Sequence, residues 1–237
     1  MFERVCLISQ RVCLISLCVC VSCLVSALVS ARAQPPSQSP ANPTSGTSDR
    51  PEERLLRAKG EAGVAIFAGG CFWCMEAPFE AVEGVLEVIS GYTGGREVAP
   101  SYEEVSEGQT GHLEAVWVRF DPARVSYERL LEIFWRNIDP TQTDGQFADI
   151  GPQYRTAIFV VSPAQESAAR ASREALSRSG RFSAPIATEV RPAMDFWKAE
   201  DYHQDYHRKK PAPYLRYKRG SGRAGFIERA WGEGGHK

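Results

Sequence analysis

Short apolar runs alternate with segments of helical periodicity between Gly63 and Lys210. The apolar runs are rich in branched and aromatic residues and are closed by turn-forming or charged residues, a pattern typical of strands. Their sequences are GVAIFAGG, GVLEVISGY, HLEAVWVRFD, YRTAIFVVS and ATEVRP. The third run alternates polar and apolar residues and predicts a half-buried strand. Strands separated by helices predict a single α/β or α+β domain with one main sheet.

Helical segments lie between these runs. A first helix is predicted to begin near Cys71, in CMEAPFEAV, with Pro78 either kinking it or confining it to its first turns. A short helix is predicted from Ser101. A second begins at Ser126, where apolar residues are spaced for one helical face, and a third runs from Pro163 to Gly180. The segment KAEDYHQDYHRKK predicts a last helix.

Residues 1–33 predict a cleaved signal peptide. Two arginines precede an apolar run over 12–29, and small residues then fit a signal-peptidase site before Gln34. We expect export, most simply to the periplasm, and no stable membrane contact after cleavage. The apolar run is nearly long enough to span a bilayer, so an uncleaved membrane anchor is the alternative. A lipoprotein site at Cys23 is disfavoured, because Cys20 stands where leucine is preferred.

Composition divides the rest of the chain. Residues 34–57 are rich in proline and serine and predict a disordered linker. One folded domain is expected over 58–217, followed by an irregular glycine-rich tail over 218–237. The whole chain carries 28 basic and 29 acidic side chains, a net charge of −1, which gives no indication of nucleic-acid binding.

Five of the seven cysteines lie in the leader, which leaves Cys71 and Cys74 in the exported chain. The pair can be a structural bridge, half of a metal site, or a nucleophile with its resolving partner. A bridge would close only a short loop and stabilise the fold little. A helix N-terminus and a C-x-x-C spacing both favour the Cys71 thiolate. Gly69 and Gly70 allow a tight turn and leave room beside the sulfur.

Two other functions remain open on the residues alone. One is a zinc site, with Cys71 and Cys74 as two ligands and His203 and His207, which have helical spacing, as the other two. The cysteine and histidine pairs are, however, far apart in the chain. A thioredoxin-like disulfide exchanger also uses C-x-x-C. The aromatic side chains between the cysteines are either core residues or an apolar wall beside the sulfur.

The segment GGCFWCMEAPF resembles the signature of the type A peptide methionine sulfoxide reductases. The motifs GYTGG, SYEEV, TGHLEAV, DIGPQYR and AEDYHQDY follow in that family's order. Together these motifs extend over nearly the whole folded region, roughly 64–214. The fold class expected is α+β: a two-layer α/β plait with a central mixed sheet and a ferredoxin-like core.

The resemblance implies a role for each matching residue around the sulfur. Cys71 matches the cysteine that attacks the sulfoxide sulfur, and Phe72 and Trp73 match the aromatic wall that holds the S-methyl group. Glu114 matches the acid that protonates the departing oxygen. That role suits a glutamate whose pKa burial has raised, because the oxygen leaves poorly until it is protonated. On the residues alone, Glu114 is more simply a solvated strand residue.

The resemblance also implies groups that bind the oxygen. Tyr102 and Tyr154 match two phenols that hydrogen-bond it, and Asp149 matches a polar residue lining the same site. As isolated residues, these tyrosines would be half-buried packing residues. Supporting groups in the matching motifs are Glu76, Gly91 and His203.

The implied activity is reduction of methionine S-sulfoxide, free or in oxidised proteins, as protein repair under oxidative stress, without metal or organic cofactor. Many relatives carry a resolving cysteine in a C-terminal tail, but here no cysteine follows Cys74. Cys74 is therefore expected to condense with the Cys71 sulfenic acid. If Cys71 lies in the first helical turn, local unwinding precedes the disulfide. A thioredoxin-like donor is expected to reduce this disulfide, and the enzyme is expected to be a monomer.

Overall fold

The computed structural model describes residues 55–56 and 63–232. The predicted signal peptide, most of the predicted linker and the last five residues lie outside these ranges. Within the described ranges, no helix is both long and apolar enough to span a membrane.

The strands of the described residues form one large sheet and one small one. The strands are β1 (Leu55–Leu56), β2 (Val64–Gly69), β3 (Val85–Thr93), β4 (Leu113–Phe120), β5 (Gly145–Gln146), β6 (Asp149–Ile150), β7 (Thr156–Val160), β8 (Glu189–Pro192) and β9 (Phe196–Lys198). The large sheet has the order β1-β9-β3-β4-β2-β7-β8, and β5 pairs with β6. Only β7 and β8 pair in parallel; the other neighbours are antiparallel. The five predicted strands are present in this mixed sheet.

The strand β4 is more buried than its sequence predicted. It lies between β2 and β3, and Arg119 is its one exposed residue. Val116 and Val118 belong to the apolar cluster that includes the helices, whereas Ala115 and Trp117 belong to a second cluster. Because both faces are covered, the alternation of residue types does not correspond to an alternation of burial.

Among the described residues, four helices lie between these strands and three follow the last strand. They are α1 (Phe72–Glu80), α2 (Tyr102–Ser106), α3 (Tyr127–Arg136), α4 (Pro163–Arg178), α5 (Tyr206–Lys209), α6 (Pro211–Gly220) and α7 (Arg223–Trp231), with a 3₁₀ turn at Pro152–Tyr154. The predicted helices at Cys71, Ser101, Ser126 and Pro163 are confirmed, and Pro78 lies inside α1. The side chains of Ser101 and Ser126 cap their helices.

Packing of α1 and α3 against β2 forms the centre of the core. The ring of Phe67 in β2 stacks on Phe79 of α1 at 4.9 Å and on Phe134 of α3 at 5.2 Å, centroid to centroid. All three side chains are fully buried. These contacts hold α1 against β2, and the two cysteines lie where β2 ends and α1 begins.

The predicted helix over KAEDYHQDYHRKK is wrong for most of its length. Lys198 ends β9, residues 199–200 are irregular, turns follow over 201–205, and only Tyr206–Lys209 is helical. The amide of Gln204 explains the difference, because it hydrogen-bonds the backbone of Ser90 on β3 and of Ala199. These tertiary bonds hold the segment against the sheet in a non-helical path.

The predicted irregular tail is also wrong over the described residues, because α6 and α7 extend through it to Trp231. Arg223, at the start of α7, is buried and donates to the backbone oxygens of Gly69 and Asn137. Ile227 is likewise fully buried. The helices are thus stabilised by contacts with the core, which local glycine content does not reveal.

Candidate active site

A cavity of about 110 Å³ lies where β2 ends and α1 begins. Seven of its lining residues are the predicted site residues other than Cys74, and the eighth is Tyr217. The lining residues are Cys71, Phe72, Trp73, Tyr102, Glu114, Asp149, Tyr154 and Tyr217. They come from α1, α2, β4, β6, the 3₁₀ turn and α6, so segments distant in the sequence converge on one small space.

The turn before α1 presents the Cys71 sulfur to this cavity. Gly70 has a φ of +77°, a conformation that favours glycine, and an added Cβ there would lie 2.5 Å from Cβ of Gln146. Cys71 follows as the N-cap of α1, with φ −46° and ψ 117°. Its side chain is 6% exposed. The sulfur is therefore sheltered from bulk water but borders the cavity.

Cys74 is the third residue of α1 and is completely buried. Its backbone N–H donates to the Cys71 backbone oxygen at 3.0 Å, and the two thiols lie close enough to shift each other's pKa. Because Cys71 is the cap and not a residue of the first helical turn, the expected condition for local unwinding is not met. An N-cap side chain lies close to the third helical residue in any case.

The sequence predicted that the helix terminus favours the Cys71 thiolate, but the surroundings of the two thiols disfavour it. Burial raises the pKa of Cys71, and the hydrogen bond with Cys74 and the nearby Glu114 raise this pKa further. The same hydrogen bond lowers the pKa of Cys74 to about 7, with help from the charges of Arg223 and Lys218. The pair thus loses its first proton easily, while a lone thiolate at Cys71 is disfavoured.

Glu114 is buried on β4, contrary to its simplest interpretation as a solvated strand residue. Its Oε2 accepts a hydrogen bond of 3.1 Å from the backbone N–H of Phe72. Burial raises the pKa of Glu114 to about 8, and the Asp149 charge adds to this rise. At neutral pH the carboxyl group is therefore mostly protonated and can donate a proton within the cavity.

Two phenols border the same cavity. Tyr102 begins α2, where its backbone N–H donates to Glu200 at 3.1 Å, and Tyr154 ends the 3₁₀ turn. Burial raises the pKa of Tyr102 to about 12 and also raises the pKa of Tyr154. Both hydroxyls therefore remain protonated at neutral pH and can donate hydrogen bonds to a polar oxygen in the cavity.

Sequence reasoning missed Tyr217, because the chain from Lys218 was predicted to be irregular and no motif extends past the AEDYHQDY segment. Tyr217 lies on α6 and donates a short hydrogen bond to Oδ2 of Asp149. The one signal for this helix was Pro211, a residue type favoured in the first helical turn.

Comparison with known proteins agrees with this geometry. The family model described as peptide methionine sulfoxide reductase matches residues 63–234. The chain belongs to the type A peptide methionine sulfoxide reductases. It is 53% identical over 169 residues to the peptide methionine sulfoxide reductase MsrA of Bacillus licheniformis, covering 71% of this chain and 93% of that protein. The Bacillus subtilis MsrA is also 53% identical over 169 residues, covering 71% and 96%. The predicted family is thus confirmed.

Solved structures of similar proteins support the same assignment. Methionine sulfoxide reductase A of Corynebacterium diphtheriae is 33% identical, with a TM-score of 0.59, over 65% of this chain and 78% of that one. Mxr1 from Saccharomyces cerevisiae in reduced form is 28% identical, with a TM-score of 0.61, over 67% and 91%. This chain is an oxidoreductase with peptide methionine sulfoxide reductase activity, and its fold is a mixed α/β domain.

In this type A reductase, the aromatic wall is held from behind by the segment that follows β9. The indole Nε1 of Trp73 donates to Nδ1 of His203 at 3.2 Å, and the Trp73 ring stacks on Tyr206 at 3.9 Å. Burial lowers the pKa of His203 to about 4, so the imidazole is neutral and accepts this bond. Phe72 is fully buried yet lines the cavity, so the aromatic residues belong both to the wall and to the core.

The other two supporting residues predicted from the motifs are structural. Glu76 is fully buried and accepts from the backbone N–H of Asp205 at 2.9 Å. Burial raises the pKa of Glu76 to about 7. Gly91 allows β9 to approach, because an added Cβ would lie 2.3 Å from the Trp197 backbone oxygen. None of these contacts reaches the cavity.

The zinc alternative receives no support from the reductase structure. His203 lies in a turn bonded to Trp73, whereas His207 lies on α5 with its Nε2 3.1 Å from Glu80. Over the described ranges, no group of three or more histidine, cysteine, aspartate or glutamate side chains is arranged to hold a metal ion.

Proposed function

We propose that this reductase acts on methionine S-sulfoxide, free and within oxidised proteins, and that it repairs oxidative damage. One observation carries the proposal: the buried Glu114, whose pKa burial raises to about 8, lies beside Cys71 in a cavity whose wall is Phe72 and Trp73. An apolar wall suits an S-methyl group, and a neutral acid suits a sulfoxide oxygen that must be protonated. The S-epimer preference rests on the family resemblance.

In the first step, Cys71 attacks the sulfoxide sulfur as Glu114 transfers its proton to the oxygen. The oxygen then passes to the Cys71 sulfur, which becomes a sulfenic acid, and methionine leaves as a thioether. The substrate is reduced by two electrons and the cysteine is oxidised by two. The hydroxyls of Tyr102 and Tyr154 donate to the oxygen, because negative charge develops on it in the transition state.

In the second step, the Cys74 sulfur attacks the Cys71 sulfenic acid. A sulfur–sulfur bond forms, the sulfenic oxygen leaves, and with the Cys74 proton it forms water. The low pKa of Cys74, about 7, supports this role, because the thiolate is the nucleophile in such an exchange. The closeness of the two thiols, which shift each other's pKa, supports the same pairing.

An external dithiol must then return two electrons to the Cys71–Cys74 disulfide, and we assign this role to a thioredoxin-like protein. The remaining proposals concern the whole molecule: a monomer, without nucleic-acid binding, exported to the periplasm by cleavage before Gln34 or retained by an uncleaved leader. The antiparallel order β3-β4-β2-β7, with α1 and α3 as the crossover helices, supports a ferredoxin-like plait as the core.

A single-turnover assay with separate S- and R-sulfoxides of methionine, without reductant, tests the chemistry. We expect about one equivalent of methionine from the S-epimer only, and a Cys71–Cys74 disulfide in the peptide map. Methionine from both epimers, or from neither, contradicts the proposal.

Two variants separate the roles of the cysteines. Cys71→Ser should yield no methionine. Cys74→Ser should still yield about one equivalent but should not turn over with a thioredoxin-type reductant. Equal multiple-turnover rates in Cys74→Ser and the parent would reject Cys74 as the resolving residue.

A further inference from the structure

Tyr217 is the lining residue of the cavity to which no role has been given. It comes from α6, outside the motifs of the sequence resemblance. Its ring meets the Trp73 ring edge-on at 6.1 Å, and its hydroxyl is hydrogen-bonded to Asp149. Tyr217 and Cys71 line the same cavity, and the Tyr217 hydroxyl is close enough to the Cys71 sulfur that each shifts the pKa of the other.

A phenol has one proton to donate, and here two acceptors compete for it. Burial raises the pKa of Tyr217, and both Cys71 and Asp149 raise it further, so the hydroxyl stays protonated. When Cys71 is a thiol, the carboxylate of Asp149 is the stronger acceptor. When Cys71 is a thiolate, a second negatively charged acceptor becomes available to the same hydrogen.

We propose that Tyr217 is a third catalytic phenol, which turns its hydroxyl from Asp149 to the Cys71 sulfur when that sulfur ionises for attack. This inference rests on the proposed attack by Cys71. Tyr102 and Tyr154 bind the substrate oxygen, whereas Tyr217 stabilises the attacking sulfur.

The surroundings of Cys71 explain why such a donor is needed. Burial, Cys74 and Glu114 each disfavour the ionised sulfur, whereas the Tyr217 hydroxyl favours it. Asp149 opposes the turning of the Tyr217 hydroxyl toward the sulfur, because it competes for the hydroxyl proton. The titratable groups that face Cys71 or its partner hydroxyl are Cys74 on α1, Tyr102 on α2, Glu114 on β4, Asp149 on β6, Tyr154 on the 3₁₀ turn and Tyr214 on α6.

The test is the rate at which iodoacetamide alkylates Cys71, followed by peptide mapping over a range of pH in the full chain. Tyr217→Phe keeps the ring and removes the hydroxyl. We expect its alkylation rate at neutral pH to fall about tenfold, because the thiolate loses a charge-assisted hydrogen bond, and the midpoint of the profile to move to higher pH. The single-turnover rate of sulfoxide reduction should fall by a similar factor.

Tyr214→Phe is the matched control. Tyr214 is on the same helix and buried, but it does not line the cavity, and its hydroxyl has no hydrogen-bond partner among the described residues. This variant should alkylate like the parent, and its melting temperature shows what loss of a buried hydroxyl does to α6.

An unchanged alkylation profile in Tyr217→Phe overturns the inference, whether or not turnover falls, because a purely structural or substrate-binding hydroxyl would leave the thiolate population unaltered. An equal change in Tyr214→Phe overturns it as well. Alkylation needs no sulfoxide, so this result is independent of whether the proposed reduction occurs.

Discussion

Glu114→Gln is expected to stabilise the folded protein while it removes the proton donor. The buried carboxyl group is held neutral by its surroundings, with its pKa raised from 4.5 to about 8. In the unfolded chain the same group ionises freely above pH 4.5. Folding at neutral pH therefore requires Glu114 to take up a proton, which destabilises the native state. Glutamine is neutral in both states and avoids this penalty.

The magnitude follows from the two pKa values. Each tenfold change in an acid dissociation constant corresponds to about 1.4 kcal/mol, so the penalty is about 3 kcal/mol at about pH 7 and approaches about 5 kcal/mol in alkaline solution. Because the folded state raises the pKa of this acid, the contribution of Glu114 to the stability of the parent is fully present below the unfolded pKa of 4.5. That contribution is lost as the pH rises through about 8. The amide oxygen of glutamine can still accept from Phe72.

Equilibrium urea unfolding, followed by circular dichroism under reducing conditions at a series of pH values, measures this difference. The free energy of unfolding of Glu114→Gln minus that of the parent should grow by about 3 kcal/mol between about pH 5 and about pH 8. A constant offset from altered packing does not affect this slope, because it is the same at every pH.

Glu87→Gln is the control for loss of a carboxylate. Glu87 lies exposed on β3 and pairs with Arg119 at 3.1 Å, so its replacement should change stability by less than about 1 kcal/mol. Parallel pH curves for Glu114→Gln and the parent would refute the reasoning, since they would mean that Glu114 ionises alike in the folded and unfolded states. The single-turnover rate should fall about 10²- to 10⁴-fold in Glu114→Gln, as expected for loss of a general acid.

Two further predictions concern the frame of the site. Gly70→Ala should destabilise the fold by about 2 kcal/mol or more in urea unfolding, because Gly70 has a positive φ and an added Cβ would lie 2.5 Å from Gln146. Gly180→Ala is the control: its φ is +68°, but the space around it is open, so it should cost only about 1 kcal/mol. Equal losses in the two variants would show that the contact with Gln146 is relieved. Ser101→Ala removes a capping box with Glu104 and should cost about 1 kcal/mol in the same assay, and an unchanged midpoint would contradict the role of the cap.

The sequence alone was informative wherever a feature is local. Apolar runs predicted the main strands, and the segments from Ser101 and Ser126 predicted α2 and α3, because strand burial and helical spacing are patterns of near neighbours. The motifs around Cys71 and Glu114 likewise predicted which residues the cavity would contain. Their identities come from the family resemblance, and the cavity shows that they lie together.

Tertiary contacts decided the features that the sequence did not predict. The segment before α5 has helical residue spacing but forms turns, because Gln204 bonds to β3. The glycine-rich tail is helical over most of its described residues, as far as Trp231, because Arg223 donates to backbone oxygens of the core and Ile227 is buried. Tyr217 enters the cavity only through that packing.

The electrostatics of the site also belong to the tertiary structure. A C-x-x-C motif at a helix start predicts a favoured thiolate at Cys71, yet burial raises the pKa of Cys71, and the interaction with Cys71 lowers the pKa of Cys74 instead. Glu114 is an acid at neutral pH only because apolar groups from distant segments exclude water from it. The residue types and their order are written in the sequence. Their protonation depends on desolvation, which exists only once separate segments have packed together.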